Sequence, residues 1–385
     1  MDERRLKDSF ARVAAHGDEV ALFFYSHLFL AHPQVRDMFP VSMSVTRDRL
    51  LNALGQIVSD VGNLDSLVPF LTDLGRDHRK FGATAEHYPA VGKSLVAALA
   101  HFAGDVWTDE LARDWTDAYS LVAQVMIDAA QRDEQRHNPP WWDATIVGHD
   151  RRAVDIAVVT VAPAQQLSYR PGQSVALEIA QRPRLWRLYS MANAPRPDGT
   201  VDFHVRIIDG GQVSPVLGRG PGLGSALRLG PPLGDLALDS GSGNDIVMAA
   251  GGTGLAPLKA IIEQLGQRGG DVPKTHLFFG ARTEAELYDL PDLEKLADSN
   301  HWLTVTPAVS GERGYPRGSA RAGGSALRIE SGTVADVLCR RSTWRDHDAY
   351  VCGSEAMVTA TVSRLTALGA SPERIFVENF GWSEQ

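Results

Sequence analysis

The sequence lacks both the cysteines for a disulfide framework and the long apolar run that a membrane span requires. Its 385 residues include only two cysteines, Cys339 and Cys352, too few for a disulfide framework. We therefore expect a reducing, cytoplasmic setting. No apolar run is long enough to cross a bilayer, so no membrane partner is expected. Residues 1–5 read Met-Asp-Glu-Arg-Arg and lack the apolar core of a signal peptide.

An excess of positive charge is missing as well. The formal net charge is −9 at pH 7, and the basic residues are scattered along the chain. Nucleic acids attract clustered positive charge, so no nucleic-acid partner is expected. Apolar residues make up 44% and charged residues 22%, which is typical of soluble globular domains. The chain is longer than a single hydrophobic core usually accommodates, so two or three domains are predicted.

Residues 1–137 show apolar side chains at helical spacing and few strand signals, which predicts an all-α domain. One helical face contains a histidine, His78, among regularly spaced apolar residues: Leu67, Leu71, Leu74 and Phe81. Gly82 then predicts the end of the helix. Such a histidine is usually a satisfied core residue. The alternative is an axial haem ligand, because neutral imidazole is a good donor to iron. No Cys-x-x-Cys-His is present, so any haem would lack thioether bonds.

Residues 138–241 begin with a predicted linker, 138–142, and continue with short stretches of period-two alternation. The predicted strands are Asp155–Val161, Ser174–Ile179, Val201–Ile208 and Ala226–Leu229. Short strands without a long helix predict an antiparallel β-barrel. Within this region, the aromatic face of Tyr189 and the hydroxyl of Ser190 can bracket a flavin ring, and Arg187 can neutralise a pyrophosphate. The alternative is a strand that happens to contain an aromatic residue.

Residues 242–385 predict an α/β domain with a parallel sheet. A buried strand, Asp245–Ala250, is followed by a glycine turn and an apolar helix, 258–265. Further strands are predicted at Thr275–Phe279, 302–309 and Ala349–Ser354. Strand, glycine turn and helix in this order form a phosphate cradle for a dinucleotide. The turn residues are Gly251, Gly252, Thr253, Gly254 and Pro257, and Pro257 stands where a Rossmann turn usually has glycine or alanine.

The order of these segments resembles the flavohaemoglobin family, in which a globin precedes a ferredoxin-reductase-like module for FAD and NAD(P)H. The resemblance implies that His78 binds the iron of haem b. It implies that Tyr25 hydrogen-bonds the distal iron ligand, that Phe39 packs on the haem and that Leu50 lies on the distal side. Tyr88 corresponds to a tyrosine on the proximal side.

Three positions depart from the family pattern on the globin side. Thr46 falls where a distal glutamine is expected, and Asp77 replaces a lysine that commonly precedes the proximal histidine. Ala130 falls where the family has a glutamate that accepts from that histidine. Asp128 and Asp133 are near Ala130 in sequence, but a regular helix directs them elsewhere. A carboxylate partner makes imidazole a stronger donor, so its absence bears on the oxygen chemistry.

In the reductase module, the resemblance places Tyr189 and Ser190 beside the flavin and Arg187 at its pyrophosphate. It assigns a phosphate-binding turn to four consecutive residues: Gly211, Gln212, Val213 and Ser214. Arg282 contacts the adenosine ribose or a 2′-phosphate, or is an ordinary surface arginine.

Three further residues of the module belong to the predicted flavin and nicotinamide site. Cys352 lies near the transferred hydride, or is only a small buried residue. Glu378 contributes electrostatics between flavin and haem, and Phe380 covers the flavin. Alternatively, these last two simply end a terminal strand packed into the core.

The predicted function follows from the resemblance. Electrons pass from NAD(P)H through FAD to haem, and the oxy-haem converts nitric oxide to nitrate, so the partners are O₂, nitric oxide and NADH or NADPH. NADH is favoured because only Arg282 offers itself for a phosphate. The alternatives are a haem–flavin reductase or oxidase with another acceptor, and an oxygen- or gas-binding sensor. A monomer or weak dimer is expected.

Overall fold

The structure is a computed structural model that describes residues 2–238, 242–268, 272–311, 327–340 and 343–379. The chain forms two compact units, one of residues 1–141 with 183–185 and the other of the remaining residues. No helix among the described residues is long and apolar enough to cross a membrane. The predicted domain boundaries, after residues 137 and 241, stay predictions.

The first unit is helical over its described residues. Its α-helices are α1 Glu3–Ala14, α2 Asp18–Ala31, α3 Ser44–Ser59, α4 Leu64–His78, α5 Tyr88–Ala103 and α6 Asp109–Gln135. Helix starts are capped by side chains: Asp2 accepts from the backbone N–H of Arg5, and Thr108 accepts from that of Leu111. The apolar faces of these helices bury a shared core. The predicted all-α domain is confirmed.

Helix α4 ends at His78. The predicted helical face extends three residues further, but these residues form a 3-10 turn, Arg79–Phe81. Gly82 follows with φ of 76°, a left-handed conformation that favours glycine, so the predicted stop there is confirmed. Helix α4 crosses α6 closely at Gly75, where a Cβ atom would lie 2.4 Å from the carbonyl oxygen of Met126.

The second unit begins with a six-stranded antiparallel sheet. Its strands are β1 Trp142–Arg151, β2 Ile156–Pro163, β3 Ser174–Ile179, β4 Arg187–Ser190, β5 Val201–Arg206 and β6 Ala226–Leu229. Their order is β4-β3-β6-β1-β2-β5. An antiparallel bridge between Met191 and Phe203 joins the two edges, so the barrel is nearly closed. A short helix, α7 Ser214–Arg219, follows β5. The predicted antiparallel barrel is confirmed.

Strand β1 is an element that the sequence analysis does not predict. Assigning Trp142 to the linker is wrong, because this residue begins β1 and its indole N–H donates to the carbonyl of Gln166 at 3.2 Å. Trp142, Ala144 and Ile146 are buried, and the residues between them are exposed. This alternation is the ordinary period-two signal of a half-buried strand.

A parallel sheet completes the second unit. Its strands are β7 Asp245–Gly251, β8 Thr275–Ala281, β9 Leu303–Val309, β10 Glu330–Ser331, β11 His347–Gly353 and β12 Ile375–Asn379, in the order β10-β9-β8-β7-β11-β12. The helices are α8 Leu255–Gln267, α9 Leu290–Ser299, α10 Val334–Leu338 and α11 Glu355–Ala367. Apolar residues are buried in clusters on both faces of the central strands, as expected for a parallel sheet. The predicted α/β domain is confirmed.

The start of α8 differs from the prediction. The helix begins at Leu255 rather than at Leu258, so it includes Pro257. A proline is tolerated in the first turn of a helix, because the N–H that it lacks has no intrahelical partner there. The glycine turn therefore leads directly into the helix.

Candidate functional site

His78 has the geometry that an iron ligand requires. Its Nδ1 lies 2.8 Å from the carbonyl oxygen of Leu74, one turn earlier in α4. A carbonyl can only accept, so Nδ1 carries the proton and Nε2 keeps its lone pair. Burial lowers the pKa of His78, although Asp77 opposes this effect, so the neutral form is favoured. A neutral imidazole with an available Nε2 fits a haem.

Tyr25 of α2 and Phe39 lie together in the core of the globin unit. Their ring centroids are 5.5 Å apart in an edge-on arrangement. The Tyr25 hydroxyl donates to the carbonyl of Thr46 at 3.5 Å, which is long for a hydroxyl donor. Burial raises the pKa of Tyr25 well above its ordinary value, so the hydroxyl keeps its proton. Leu50 lies one turn after Thr46 in α3 and is half-buried.

Tyr88 is the first residue of α5 and packs against the cluster of Leu67, Leu71 and Met126. Its carbonyl accepts from the hydroxyl of Tyr119 at 2.7 Å, and burial raises the pKa of its own hydroxyl. The structure thus places Tyr88 against α4 residues two and three turns before His78. Its role at a haem remains a prediction.

Two contacts show which part of α6 is level with His78. Gly75 meets Met126, and the Arg79 guanidinium donates to Asp133 at 2.6 Å, so Ala130 falls between these two contacts. Among the described residues, the acceptor found for the His78 imidazole is the Leu74 carbonyl. The nearby carboxylates are engaged elsewhere: Asp133 by Arg79, Arg76 and Asn138, and Asp128 by Gln124.

The predicted flavin residues lie on β4, which pairs with β3. The Tyr189 ring lies edge-on to Phe203, with centroids 6.3 Å apart, and burial raises its pKa well above the ordinary value. Ser190 is buried, and its hydroxyl lies 3.3 Å from both carboxylate oxygens of Glu378. Arg187 is half-buried at the start of the strand. One short strand thus carries a hydroxyl and an aromatic ring that suit the flavin ring of FAD, and a guanidinium that suits its pyrophosphate.

Strands β11 and β12 bring Cys352 beside Glu378. The two residues are register partners in the parallel sheet, and Cys352 is fully buried. Burial raises the pKa of the Cys352 thiol well above its ordinary value, and Glu378 raises it further. Burial also raises the pKa of Glu378 to about 7, although the Ser190 hydroxyl acts in the opposite direction. Ser190, Cys352 and Glu378 therefore form one cluster. Phe380 lies outside the described residues.

The turn before α7 borders a cavity of about 530 Å³. Gly211 and Gln212 line it, together with Arg182 and Arg219. A Cβ at Gly211 would lie 3.0 Å from the Ser214 hydroxyl, which itself accepts from the backbone of Ile208 at 3.1 Å. Val213 is buried behind the turn. The sequence analysis misses Arg182 and Arg219, because neither belongs to a motif.

The glycine turn between β7 and α8 needs its glycines for packing. Gly252 has φ of 54°, and a Cβ at Gly254 would lie 2.4 Å from the carbonyl oxygen of Cys352. The turn therefore lies directly against β11. Thr253 and Gly251 are half-buried, and Pro257 is buried in the first turn of α8. A close-packed turn at the start of a 13-residue helix suits a pyrophosphate.

Arg282 lies just after β8 and is mostly exposed. Its backbone N–H donates to Glu286 at 3.1 Å, and its guanidinium lies 3.6 Å from the other carboxylate oxygen of Glu286. The sequence analysis weighs Arg282 as a possible phosphate ligand but does not identify this acidic neighbour.

Three family models match successive parts of the chain. They are a globin at residues 22–126, an oxidoreductase FAD-binding domain at residues 142–237 and an oxidoreductase NAD-binding domain at residues 248–363. The chain is 25% identical to a flavohemoprotein of Bacillus subtilis, over 98% of this chain and 96% of the relative. It is 28% identical to a flavohemoprotein of Bordetella parapertussis, over 95% and 94%.

Two other matches complete the comparison. The electron transfer component of xylene/toluene monooxygenase from Pseudomonas putida is 34% identical over 62% of this chain and 65% of that protein. The crystal structure of flavohemoglobin from Malassezia yamatoensis, with bound FAD and heme, has a TM-score of 0.78. It covers 98% of both chains at 18% identity, which shows a shared fold.

These findings define the protein as an oxidoreductase that joins a haem-binding globin to FAD- and NAD-binding domains. Its cofactors are haem, FAD and a nicotinamide dinucleotide, and electrons pass from NAD(P)H through FAD to the globin. The chain has the domain composition of the flavohemoproteins that it resembles and shares the fold of a flavohemoglobin, as its sequence predicted.

Proposed function

We propose that the protein is a nitric oxide dioxygenase that uses electrons from NAD(P)H, passed through FAD to the haem that His78 would hold, to convert nitric oxide and O₂ to nitrate. When bound, FAD accepts a hydride and passes electrons on singly, and the haem supplies the oxygen chemistry. The observation that carries the proposal is the contact of Ser190 with Glu378, which are 188 residues apart in sequence.

This contact joins the strand with the predicted flavin residues to the strand beside Cys352. A nicotinamide bound at the glycine turn would extend along β11 towards this cluster, because Gly254 packs on the Cys352 carbonyl. Ser190 donates to Glu378, and the raised pKa of Glu378 allows the carboxyl group to hold a proton near neutral pH. A weakly charged, buried site suits hydride transfer because water is excluded.

On the globin side, Tyr25 supports the proposal. Its hydroxyl remains protonated, and its bond to Thr46 is long, so it can donate instead to a ligand on the iron. The aromatic contact with Phe39 fixes the ring. Tyr25 would therefore orient and stabilise a polar ligand on the iron.

A second candidate, a haem–flavin reductase or oxidase for another acceptor, is favoured by one observation. His78 donates to a backbone carbonyl, and Ala130 occupies the level of α6 where a carboxylate would strengthen the imidazole. A weaker proximal donor activates oxygen less.

The test is an anaerobic mixture of the haem- and flavin-loaded protein with NADH under carbon monoxide. Bleaching of the flavin, followed by the ferrous carbonyl spectrum of the haem, is expected. Nitric oxide consumption with O₂ should then yield nitrate in fixed ratio to NADH. If nitrate does not form while another acceptor is reduced, the second candidate replaces the first. A gas sensor would consume little NADH.

NADH is proposed as the preferred donor. The carboxylate of Glu286 lies beside the Arg282 guanidinium, so a 2′-phosphate placed there meets a negative charge. Glu286→Gln should raise kcat/KM for NADPH about two- to fivefold, in line with the energies of exposed ion pairs, and leave NADH unchanged. The double variant with Arg282→Gln should lose this gain. An unchanged NADPH response in Glu286→Gln would place the 2′-phosphate elsewhere.

A further inference from the structure

Helix α4 ends at the residue that would hold the iron. His78 is its last helical residue, and the 3-10 turn Arg79–Phe81 follows directly. The carbonyl groups of a last helical turn have no intrahelical partners, so helix ends open more readily than helix centres. An imidazole that points at a metal from such a position therefore depends on contacts that hold the turn from outside.

A buried carboxylate of α6, that of Asp133, ties down this helix end. Its Oδ2 lies 2.6 Å from Nη1 of Arg79, the residue after His78, and its Oδ1 lies 3.5 Å from Nε of Arg76. The Asp133 side chain is 3% exposed, so little water competes for these contacts. Arg76 and Arg79 are three residues apart, so they lie on one face of the helix end, with His78 between them in sequence.

The position of Asp133 is one that its own helix disfavours. Asp133 lies in the last turn of α6, which ends at Gln135, and the negative end of the helix dipole repels an anion there. Asp128, five residues earlier, is an ordinary carboxylate by comparison: it is exposed and accepts from Gln124 of the same helix at 2.7 Å. The two arginines of α4 offset the cost at Asp133, so this carboxylate and the end of α4 stabilise each other.

Asn138, which follows α6, belongs to the same network. Its side-chain amide donates to Oδ1 of Asp133 at 2.8 Å, and Nη2 of Arg79 donates to the Asn138 carbonyl at 2.8 Å. Arg79 thus donates from both of its terminal nitrogens, a planar two-point geometry that orients a guanidinium well. Because His78 directly precedes Arg79, the backbone beside the histidine is held in place.

We propose that Asp133 is a positioning residue for the proximal histidine: through Arg79 and Arg76 it fixes the last turn of α4, and so the direction in which His78 presents Nε2. The inference rests on the proposed haem ligation by His78. Ala130 offers the imidazole no carboxylate from α6. Asp133 supplies a carboxylate that acts on the helix end around the histidine instead of on the imidazole itself.

The experiment compares the ferrous, haem- and flavin-loaded protein with its Asp133→Asn variant, which keeps the size of the side chain and loses the charge. The iron–histidine stretching band should shift and broaden. Haem transfer to apomyoglobin should become about tenfold to a hundredfold faster, the usual range for loss of an outer partner of a metal ligand. Asp133→Glu keeps the charge and should recover most of both signals. Asp128→Asn is the control and should match wild type.

A double-mutant cycle distinguishes positioning from a general loss of stability. Arg79→Gln should reproduce the band shift, and the double variant should show little more than either single variant, because the two residues act as one unit. A lowered thermal midpoint with an unchanged band and an unchanged haem transfer rate overturns the inference. Should Asp133→Asn fail to fold, Arg79→Lys decides, since lysine lacks the planar two-point geometry: a shifted band supports the inference, and an unchanged band overturns it.

Nitric oxide is used in no arm of this test, so the inference and the proposed function can fail separately. If the band is present in wild type and shifted in Asp133→Asn while no nitrate forms in turnover, the proposed function fails and the inference is supported. A wild-type protein without an iron–histidine band overturns the inference, because His78 then does not hold the iron.

Discussion

Glu378 is a partly buried carboxyl group whose titration should be measurable in the stability of the protein. Its pKa is raised to about 7 from an ordinary 4.5, so between these values the folded chain holds a proton that the unfolded chain has released. The free energy of unfolding therefore falls as pH rises through this window. The loss is at most about 3.5 kcal/mol, because each pKa unit corresponds to about 1.4 kcal/mol.

Urea denaturation of the flavin-free protein at several pH values between 5 and 8 checks this dependence. The unfolding free energy of Glu378→Gln should change less with pH across this window, because the glutamine side chain does not titrate. Ser190→Ala removes the hydroxyl that lowers the pKa of Glu378. In this variant the fall in unfolding free energy should therefore extend to higher pH. Equal slopes in wild type and Glu378→Gln would mean that other groups dominate.

Individual site residues could be predicted only where a local motif contains them. The Arg-x-Tyr-Ser segment predicts Arg187, Tyr189 and Ser190 as flavin residues, and the helical pattern singles out His78 as a possible haem ligand. The contact of Ser190 with Glu378 depends on strands far apart in the chain. Sequence spacing contains no information about such pairs until the sheet order is known.

At the scale of elements, the crossing of α4 and α6 positions His78. Gly75→Ala would put a Cβ 2.4 Å from the backbone oxygen and 2.6 Å from the Cα of Met126, and no rotamer change relieves a backbone contact. We expect a loss of about 1–3 kcal/mol in unfolding free energy, with faster haem loss, because α4 must shift. Thermal denaturation and haem transfer to apomyoglobin measure the two effects.

Gly55→Ala in α3 is the matched control. Its Cβ would lie 3.8 Å from the ring of Phe10, an ordinary van der Waals contact. The cost should be smaller, and haem loss should be close to wild type. If both variants behave alike, the α4–α6 crossing is not what fixes the histidine.

Helix α6 also allows the proximal side to be altered. Ala130→Glu introduces a carboxylate level with His78, where it competes with the Leu74 carbonyl for the Nδ1 proton. The imidazole should become a stronger donor, so the haem reduction potential should fall and the ferrous iron–histidine stretching frequency should rise. Ala130→Gln, of the same size but uncharged, should change both much less. Identical potentials in the two variants would argue against a carboxylate effect.

Elements with a clear period could be predicted, and the others could not. The long apolar faces of α4, α5 and α6 and the buried strands β7 and β8 follow directly from residue spacing. Strand β1 follows a proline-rich linker that hides its beginning, and β10 has only two residues. The start of α8 was misplaced because Pro257 was read as part of the turn rather than of the helix.

At the scale of the whole molecule, an ion network holds the barrel and the nucleotide-binding domain in one unit. Asp289 is fully buried and accepts from Lys259 at 2.7 Å and from Arg152 at 3.1 Å. Asp289→Asn leaves two largely buried cations without this charge, so the second unit should lose about 3–5 kcal/mol of stability.

Separate signals distinguish the two units in this experiment. Release of flavin fluorescence reports on the second unit, and the haem absorption band reports on the globin. Asp289→Asn should shift the flavin transition to lower urea concentration and leave the haem transition unchanged. A shift of both transitions together would show that the units unfold as one.

The contact of Ser190 with Glu378 also has a consequence for biosynthesis. Chains are made from the N-terminus, and their domains fold in that order as they emerge. Residues 1–141, with 183–185, form a unit separate from the one that contains Ser190 and Glu378, so the globin should fold while residue 378 is still unmade. A nascent chain that has already bound haem would then lack this carboxyl group, and electron flow could start only once synthesis of the reductase is complete.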